Sequence, residues 1–402
     1  MVAESHNAPR AQLQLGAQEA GKKRPRRTFT MRIAIDALGI SRPGGGRSAT
    51  LNLLEPLLEL DQLNEYIIFL DQHEPWLDIY KGRVRQIIAP VKQRFLVRIW
   101  AQAAWPGFLR AERVNLIHHT KNLATLFNPC PSVVTVHDVM MLLHPEVFHP
   151  LDVLYYRTIE PICLRNADRI IAVSQTTAED LKTYYGLSPS RIEVIHEGID
   201  KIFKPASEQE IMRVRTKYRL PRAYLLHVGC IWPKKNLLTL ARAYHRLIQQ
   251  GAFNGDLVLV GRPYRSKGDP ELDRYLAMKA ETGRVVRTGA VPQEDLPGLY
   301  SGAACVVFPT LHEGFGLVPL EAMACGAPVI ASHVGAIEEV LGDAAVLLED
   351  PRDEVALAGL ISELVNDPAA QQERRARGLA RAARFSRQEA ARRTLALYES
   401  LV

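Results

Sequence analysis

The chain has 402 residues, 47% of them apolar and 23% charged, a balance that suits a folded globular protein with more core than one ordinary domain holds. Its net charge of +6 is concentrated at the front, where residues 1–30 carry Arg10, Lys22, Lys23, Arg24, Arg26 and Arg27 against Glu4 and Glu19, leaving +2 for the rest and no folded basic face for nucleic acid. No run of about 18 apolar residues is present to span a membrane, and five scattered cysteines without a Cys-x-x-Cys pair argue for reduced thiols of a cytoplasmic protein rather than disulfides or a zinc site.

Taken in chain order, residues 1–30 are rich in Ala, Gln, Lys and Arg, lack the apolar core of a signal peptide, and are expected to be a disordered basic tail. Met31, directly before the first strand, offers a second translation start that would account for the tail. Short apolar runs then alternate with helical patterns, as in parallel sheets covered by helices. Strands are predicted at 32–37, 66–70, 116–118, 132–136, 169–173 and 192–195, with helices at 47–60, 94–111 and 175–185, forming one doubly wound sheet. The stretch 92–110 mixes bases and aromatics at helical spacing; its apolar side is expected to pack on that sheet, a membrane-surface helix being the functional alternative.

A polar linker at 197–205 and a helix at 208–218 place a hinge within 200–222. A second sheet follows, with strands at 223–228, 257–260, 285–287, 305–308, 329–331 and 346–348, and residues 367–401 read as helices. Two such sheets facing each other form a cleft at the carboxyl ends of their strands, where open α/β sheets bind ligands.

Four segments bring chemistry to those strand ends. Gly44-Gly45-Gly46 follows the first strand and opens a helix, so its N–H groups can accept an anion, with Arg47 beside them; a plain tight turn explains the glycines equally well. Lys234 and Lys235 follow the first strand of the second sheet at a predicted helix start, where ammonium groups need an anion or full exposure. In Glu313-Gly314-Phe315-Gly316-Leu317-Val318-Pro319-Leu320-Glu321, a glycine turn and a helix start lie between two carboxylates eight residues apart. Acceptor-only oxygens around unpaired N–H groups suit a polyol carrying phosphate. His137-Asp138 ends the fourth predicted strand at the cleft edge, Asp138 also being a natural turn former. Ser174 is placed to cap the helix after it. His118-His119 and His196-Glu197 lack a second spaced cluster, so no metal is predicted.

The run from Leu311 to Ile330 closely resembles the Glu-x7-Glu signature of the retaining group 1 (family four) glycosyltransferases. The segments 296–310 and 336–345 resemble what surrounds that signature, and the similarity extends from about Met31 to the C-terminus. The resemblance implies a GT-B fold of class α/β, two Rossmann-like doubly wound parallel-sheet domains facing a central cleft. It divides the chain into the tail (1–30), an acceptor-binding domain (31–205), a nucleotide-sugar-binding domain (206–385) and a final helix crossing back to the first domain (386–402).

It implies a metal-independent hexosyltransferase with no cofactor, taking a nucleotide diphosphate sugar as donor and a glycan or lipid-linked acceptor in cell-surface polysaccharide synthesis. Membrane contact would be peripheral, and no nucleic acid is expected as a partner. Glu313, His137 and Lys235 become the catalytic candidates. The donor would be held by Lys234, Lys235, Glu321, Gly314, Phe315, Gly316, Leu317, Gly45, Gly46 and Gly229, and the acceptor by Arg47 and Asp138. Lys234 stands where the family more often has arginine, which keeps the charge but loses the bidentate fork. The runs Trp232-Pro233-Lys234-Lys235-Asn236 and Glu313-Gly314-Phe315-Gly316-Leu317 most resemble mannosyltransferases of polysaccharide and O-antigen assembly, which makes GDP-mannose the first donor expectation. Phosphorylases and nucleotide-sugar epimerases share the fold, and a degenerate sugar-nucleotide-binding module is the non-enzymatic alternative.

Overall fold

A computed structural model describes residues 31–41, 44–91, 93–122, 124–264 and 268–402, without the side chains of Arg94 and Phe95. The expected disordered tail, residues 1–30, lies outside the described residues, as does Lys92.

Seven parallel strands form the first sheet: β1 (Arg32–Asp36), β2 (Glu65–Leu70), β3 (Val84–Ile88), β4 (Leu116–His119), β5 (Ser132–Val136), β6 (Arg169–Ala172) and β7 (Ile192–Val194), in the order β3-β2-β1-β4-β5-β6-β7. Six more form the second: β8 (Tyr224–Val228), β9 (Asp256–Val260), β10 (Val285–Gly289), β11 (Cys305–Phe308), β12 (Val329–Ser332) and β13 (Val346–Leu348), in the order β10-β9-β8-β11-β12-β13. Central strands are mostly apolar, as burial on both faces favours, with His118, His119 and His227 among the buried exceptions. Ile33 and Ile35 pair with Tyr66 and Ile68 on one side, and Ile33 with Leu116 on the other.

β3 has no counterpart in the sequence reading. Val84-Arg85-Gln86-Ile87-Ile88 does not alternate, and it forms the sheet edge, where Arg85 reaches Glu112 at 2.9 Å. An edge strand exposes one side to water and so carries less of the apolar signal. The helix Arg94–Ala111 does turn its apolar side inward: Val97, Ala101, Trp105 and Leu109 are buried, and Trp105 stacks on Phe69 at 4.3 Å. Leu96 and Ile99 stay about half exposed on its outer side. Among the described residues no helix is long and apolar enough to cross a membrane, and all five cysteines are free.

In each sheet the strand order reverses beside the first strand, between β1 and β4 and between β8 and β11. Loops leaving such neighbours diverge to opposite faces and open a crevice. Both crevices receive the motifs singled out above: Gly44–Gly46 after β1, the two lysines after β8 and Glu313 after β11.

The C-terminal segment ties the two halves together. Helix Pro368–Ala382 packs on helix Leu317–Ala324, and helix Arg387–Glu399 crosses to helix Gly45–Leu60. Ala391, Leu397 and Tyr398 thereby join Leu54, Leu57 and Leu58 in the first sheet's core. Tyr398 Oη meets His118 Nδ1 at 2.5 Å, and His118 Nε2 lies 2.8 Å from Thr135 Oγ1. Burial pushes His118 down to about 3, so it is a neutral core side chain. Arg387, buried at the crossing, pairs with Glu55 at 2.8 Å and Asp200 at 3.1 Å.

Gly198 makes this crossing possible, since a Cβ there would fall into the backbone of Arg387 and lie 2.6 Å from Ser386 C. Gly198→Ala is expected to destabilise the protein by about 1–3 kcal/mol through overpacking. Urea unfolding checks this: the midpoint should fall while the slope stays constant.

Candidate active site

β8 ends at Val228 and passes through Gly229, at φ 151°, into a 3-10 turn, Pro233–Lys235. The close approach of Gly261, whose Cβ would lie 2.7 Å from Gly229 C, packs the β8 and β9 loops backbone to backbone. The turn is fixed to the end of β11, because Lys234 O accepts from Leu311 N at 3.0 Å and Thr310 Oγ1 at 3.3 Å. Asn236, at φ 53°, then starts helix Leu237–Gln249. The two lysines therefore precede the helix by a turn instead of occupying its first positions.

This loop and the Glu313 turn form a cluster of alternating charge. Lys235 Nζ lies 2.5 Å from Glu313 Oε1, which also accepts from Thr310 Oγ1 at 3.1 Å. Lys234 Nζ lies 4.0 Å from Glu313 Oε2 and 3.3 Å from Asp138 Oδ2, which comes from the first sheet. Lys235 Nζ also sits 4.7 Å from the centre of the Phe308 ring.

Burial alone would neutralise these groups, but mutual attraction reverses it. Glu313 is held below its usual range because Lys234 and Lys235 outweigh burial. Asp138 is likewise held down, against burial, by Lys234, the Met140 N–H and His312, and Lys234 is held up by Glu313 and Asp138. The sequence left the lysines to external phosphates or to water. The structure supplies protein carboxylates as counterions, and Lys234 is only 7% exposed.

His137, one of the catalytic candidates, has its ring engaged within the protein. Its Nδ1 faces Glu197 Oε1 at 2.7 Å and its Nε2 faces Thr120 O at 2.9 Å, so both ring nitrogens have protein partners. Burial opposes protonation, yet the Glu197 carboxylate and the Thr120 carbonyl raise its affinity for a proton above the ordinary histidine value. The His137 side chain stays 27% exposed, and its backbone makes a close contact across the cleft. A Cβ on Gly314 would fall into the His137 carbonyl and lie 2.9 Å from Asp138 Cβ, so Gly314 is required by contact between the two domains.

Gly316, at φ 104°, begins helix Leu317–Ala324. The Phe315 side chain is buried against Phe385 and His196, with ring centres 5.7 and 6.0 Å away, which leaves only its backbone available to the cleft. Leu317 is also buried. Glu321 lies on that helix and accepts from Tyr300 Oη at 3.2 Å. Burial pushes its carboxyl up to about 8, with Asp200 and Glu197 adding to the rise and Tyr300 opposing it.

Across the cleft, Gly45 and Gly46 open helix Gly45–Leu60 with Gly44 preceding it at φ 144°. A Cβ on Gly46 would touch Lys121 Cε at 3.7 Å. Lys121 Nζ donates to Leu38 O at 2.5 Å, which places a cation at this loop that sequence reasoning did not single out. Arg47, offered as an acceptor contact, instead donates to Ile40 O and pairs with Glu74 at 3.4 Å, so it braces its own loop. Ser174 caps helix Gln175–Tyr185 through Thr177 N, as expected. Thr310 also escaped notice, because a threonine after a strand carries no distinguishing pattern. Among the described residues no three His, Cys, Asp or Glu side chains gather in a way that could hold a metal ion.

Comparison with known proteins agrees with this geometry. A model of the group 1 glycosyl transferases matches residues 222–367, and a model of glycosyltransferase family 4 matches residues 45–201. The chain is 33% identical over 287 residues to O-antigen chain mannosyltransferase B of Escherichia coli, covering 71% of this chain and 74% of that protein. It is 31% identical over 267 residues to the serotype-specific mannosyltransferase WbdA of Escherichia coli, covering 64% of this chain but about a third (32%) of that longer protein. The structure superposes on sucrose-phosphate synthase from Thermosynechococcus elongatus with a TM-score of 0.75, over 92% of this chain and 99% of that one, at 24% identity. The chain belongs to the group 1 glycosyltransferases and has their GT-B fold.

Proposed function

We propose that the protein is a retaining hexosyltransferase that moves mannose from GDP-mannose, without a metal ion, to a glycan or lipid-linked acceptor. The observation that carries this reading is the Lys235–Glu313–Lys234–Asp138 cluster, in which two lysines meet two carboxylates at the mouth of a helix-lined crevice. A nucleotide diphosphate entering there takes over the lysines as its counterions and releases Glu313 to the sugar hydroxyls. Backbone N–H groups at the start of helix Leu317–Ala324 add to the anion site, and Glu321, on that helix, takes the ribose hydroxyls.

In the reaction the bond from the sugar's anomeric carbon to the diphosphate oxygen breaks, and its electron pair leaves with the diphosphate. The acceptor oxygen bonds to the same carbon from the same side and passes its proton to the departing phosphate oxygen. Lys234 and Lys235 stabilise the charge that develops on the leaving group, the role a metal ion plays elsewhere. Closure of the two domains excludes water that would otherwise take the sugar. The first-domain side of the cleft, with Asp138, is left for the acceptor, while Gly45 and Gly46 offer backbone N–H groups to the donor diphosphate. A lipid-linked acceptor would bring the first domain to a bilayer surface, where the exposed Leu96 and Ile99 would meet it. The mannosyl preference rests on the relatives' names and on the lysine loop.

Nucleotide release from a panel of GDP-, UDP- and ADP-sugars in EDTA tests the reading. GDP-mannose should be turned over slowly by the wild type. Glu313→Ala and Lys235→Ala should each reduce the rate by about 10²–10³-fold, the usual cost of removing a charge-stabilising group. Turnover of GDP-mannose that needs added Mg²⁺, or a Lys235→Ala rate equal to wild type, would sink it.

Glu321 gives a second expectation. Ribose hydroxyls donate to an ionised carboxylate, whereas burial keeps Glu321 protonated until about pH 8. Binding of GDP should therefore tighten as pH rises toward 8, by up to about tenfold per pH unit, and level off above it. Calorimetric titration from pH 6 to 9 checks this, and Glu321→Gln should flatten the profile.

A further inference from the structure

The sequence reading left Glu339 unassigned. It lies in helix Ile337–Leu341 of the second domain, yet its carboxylate reaches the first. It accepts from Gln175 N at 2.7 Å, Thr176 N at 3.0 Å and Thr176 Oγ1 at 3.2 Å, and faces His196 Nε2 at 2.8 Å. Those N–H groups begin helix Gln175–Tyr185. A carboxylate of one domain thus occupies the positive end of a helix in the other.

The same junction grips the Glu313 turn from both sides. Ala336 N, three residues before Glu339, donates to Glu313 O at 2.9 Å, and a Cβ on Gly335 would lie 3.1 Å from Glu313 N. From the first domain, Thr177 Oγ1 lies 3.3 Å from Gly314 O and 3.4 Å from His137 O. Arg381 Nε holds the Glu339 helix in place through Val340 O at 2.8 Å. Glu338, one residue earlier, offers a contrast: it pairs with His333 at 2.8 Å and stays on the exposed surface of its own domain.

We propose that Glu339 is a positioning residue that couples closure of the two domains to the placement of Glu313. Its four partners come from the first domain or from the stretch entering the linker, so they are available only when the domains are together. An ionised carboxylate leaving water is compensated there by two backbone N–H groups, a hydroxyl and an imidazole, which makes the closed arrangement specific as well as favourable. Burial works against ionisation, but His196 and the two N–H groups hold Glu339 down to about 2, so the latch is charged across the working pH range. When it is engaged, Ala336 and Thr177 press the Glu313–Gly314 turn between the domains. When it is lost, the turn keeps its second-domain bond but not its first-domain support.

The closure part stands on geometry alone, and the effect on Glu313 rests on the transferase reading above. The test uses the full chain with Glu339→Ala, Glu339→Gln and, as a control, Glu338→Gln, each confirmed to keep the wild-type circular dichroism spectrum. Small-angle X-ray scattering without nucleotide should show a larger radius of gyration for Glu339→Ala, a smaller increase for Glu339→Gln and none for the control. Nucleotide release from GDP-mannose by Glu339→Ala should show kcat reduced about tenfold, as expected for losing one charged hydrogen-bonding group, while GDP affinity stays unchanged. A wild-type scattering curve for Glu339→Ala overturns the closure part. An opened molecule with wild-type kcat overturns the coupling to Glu313. If the variant opens but the wild type itself releases no nucleotide from any donor, the transferase reading fails, the coupling to Glu313 falls with it, and the domain latch stands.

Discussion

Two ammonium groups and two carboxylates sharing a crevice between two sheets set the terms for the rest of the molecule. Taking Lys234, Glu313 and Asp138 out of water is costly, and the cost is recovered only because opposite charges alternate around the cluster at 2.5–4.0 Å. Such a cluster adds little net stability, since apolar side chains of equal volume would fill the space as well. Its value is that both lysines are already desolvated and fixed beside protein carboxylates. In the reaction proposed, an incoming diphosphate displaces a carboxylate rather than organising a site.

Everything that positions this cluster follows from the reversal of strand order in two parallel sheets. The strands are buried on both faces and are given over to packing, so polar chemistry is pushed to the loops at their carboxyl ends. β8 and β11 deliver the lysines and Glu313 from one side, and β5 delivers His137 and Asp138 from the other. Glycine is required where the two sets of loops meet. At Gly314 the backbone of the opposite domain leaves no space for a side chain, so this glycine records the closeness of the domains.

Much of the fold was legible in the sequence, because buried parallel strands leave dense apolar runs and the whole run from Leu311 to Ile330 resembles a family signature. The six strands of the second sheet and the helices at Arg47, Arg94, Gln175 and Glu208 follow from such patterns to within a few residues at their ends. β3 was not legible, since an edge strand with Arg85 turned to Glu112 does not differ from a polar loop. The ring of His137 was legible as a cleft residue but not as one held by Glu197 and Thr120, which lie 60 and 17 residues away in sequence. Glu339 could not be told from its neighbour Glu338 at all. One faces solvent and the other the opposite domain, and only the assembled fold separates them.

The crossing of helix Arg387–Glu399 also bears on how the protein is made. The first sheet is synthesised early, yet Leu54, Leu57 and Leu58 are covered by Ala391, Leu397 and Tyr398 from the end of the chain. While the second domain is being translated, the first therefore stands with an apolar strip of its core open and with His118 lacking the tyrosine hydroxyl it meets in the finished molecule. Exposed apolar surface of this kind is where nascent chains associate wrongly or are held by chaperones. The first domain, although earlier in sequence, is completed only when the Arg387–Glu399 helix has been made, and loss of that helix would impair the half of the protein translated first.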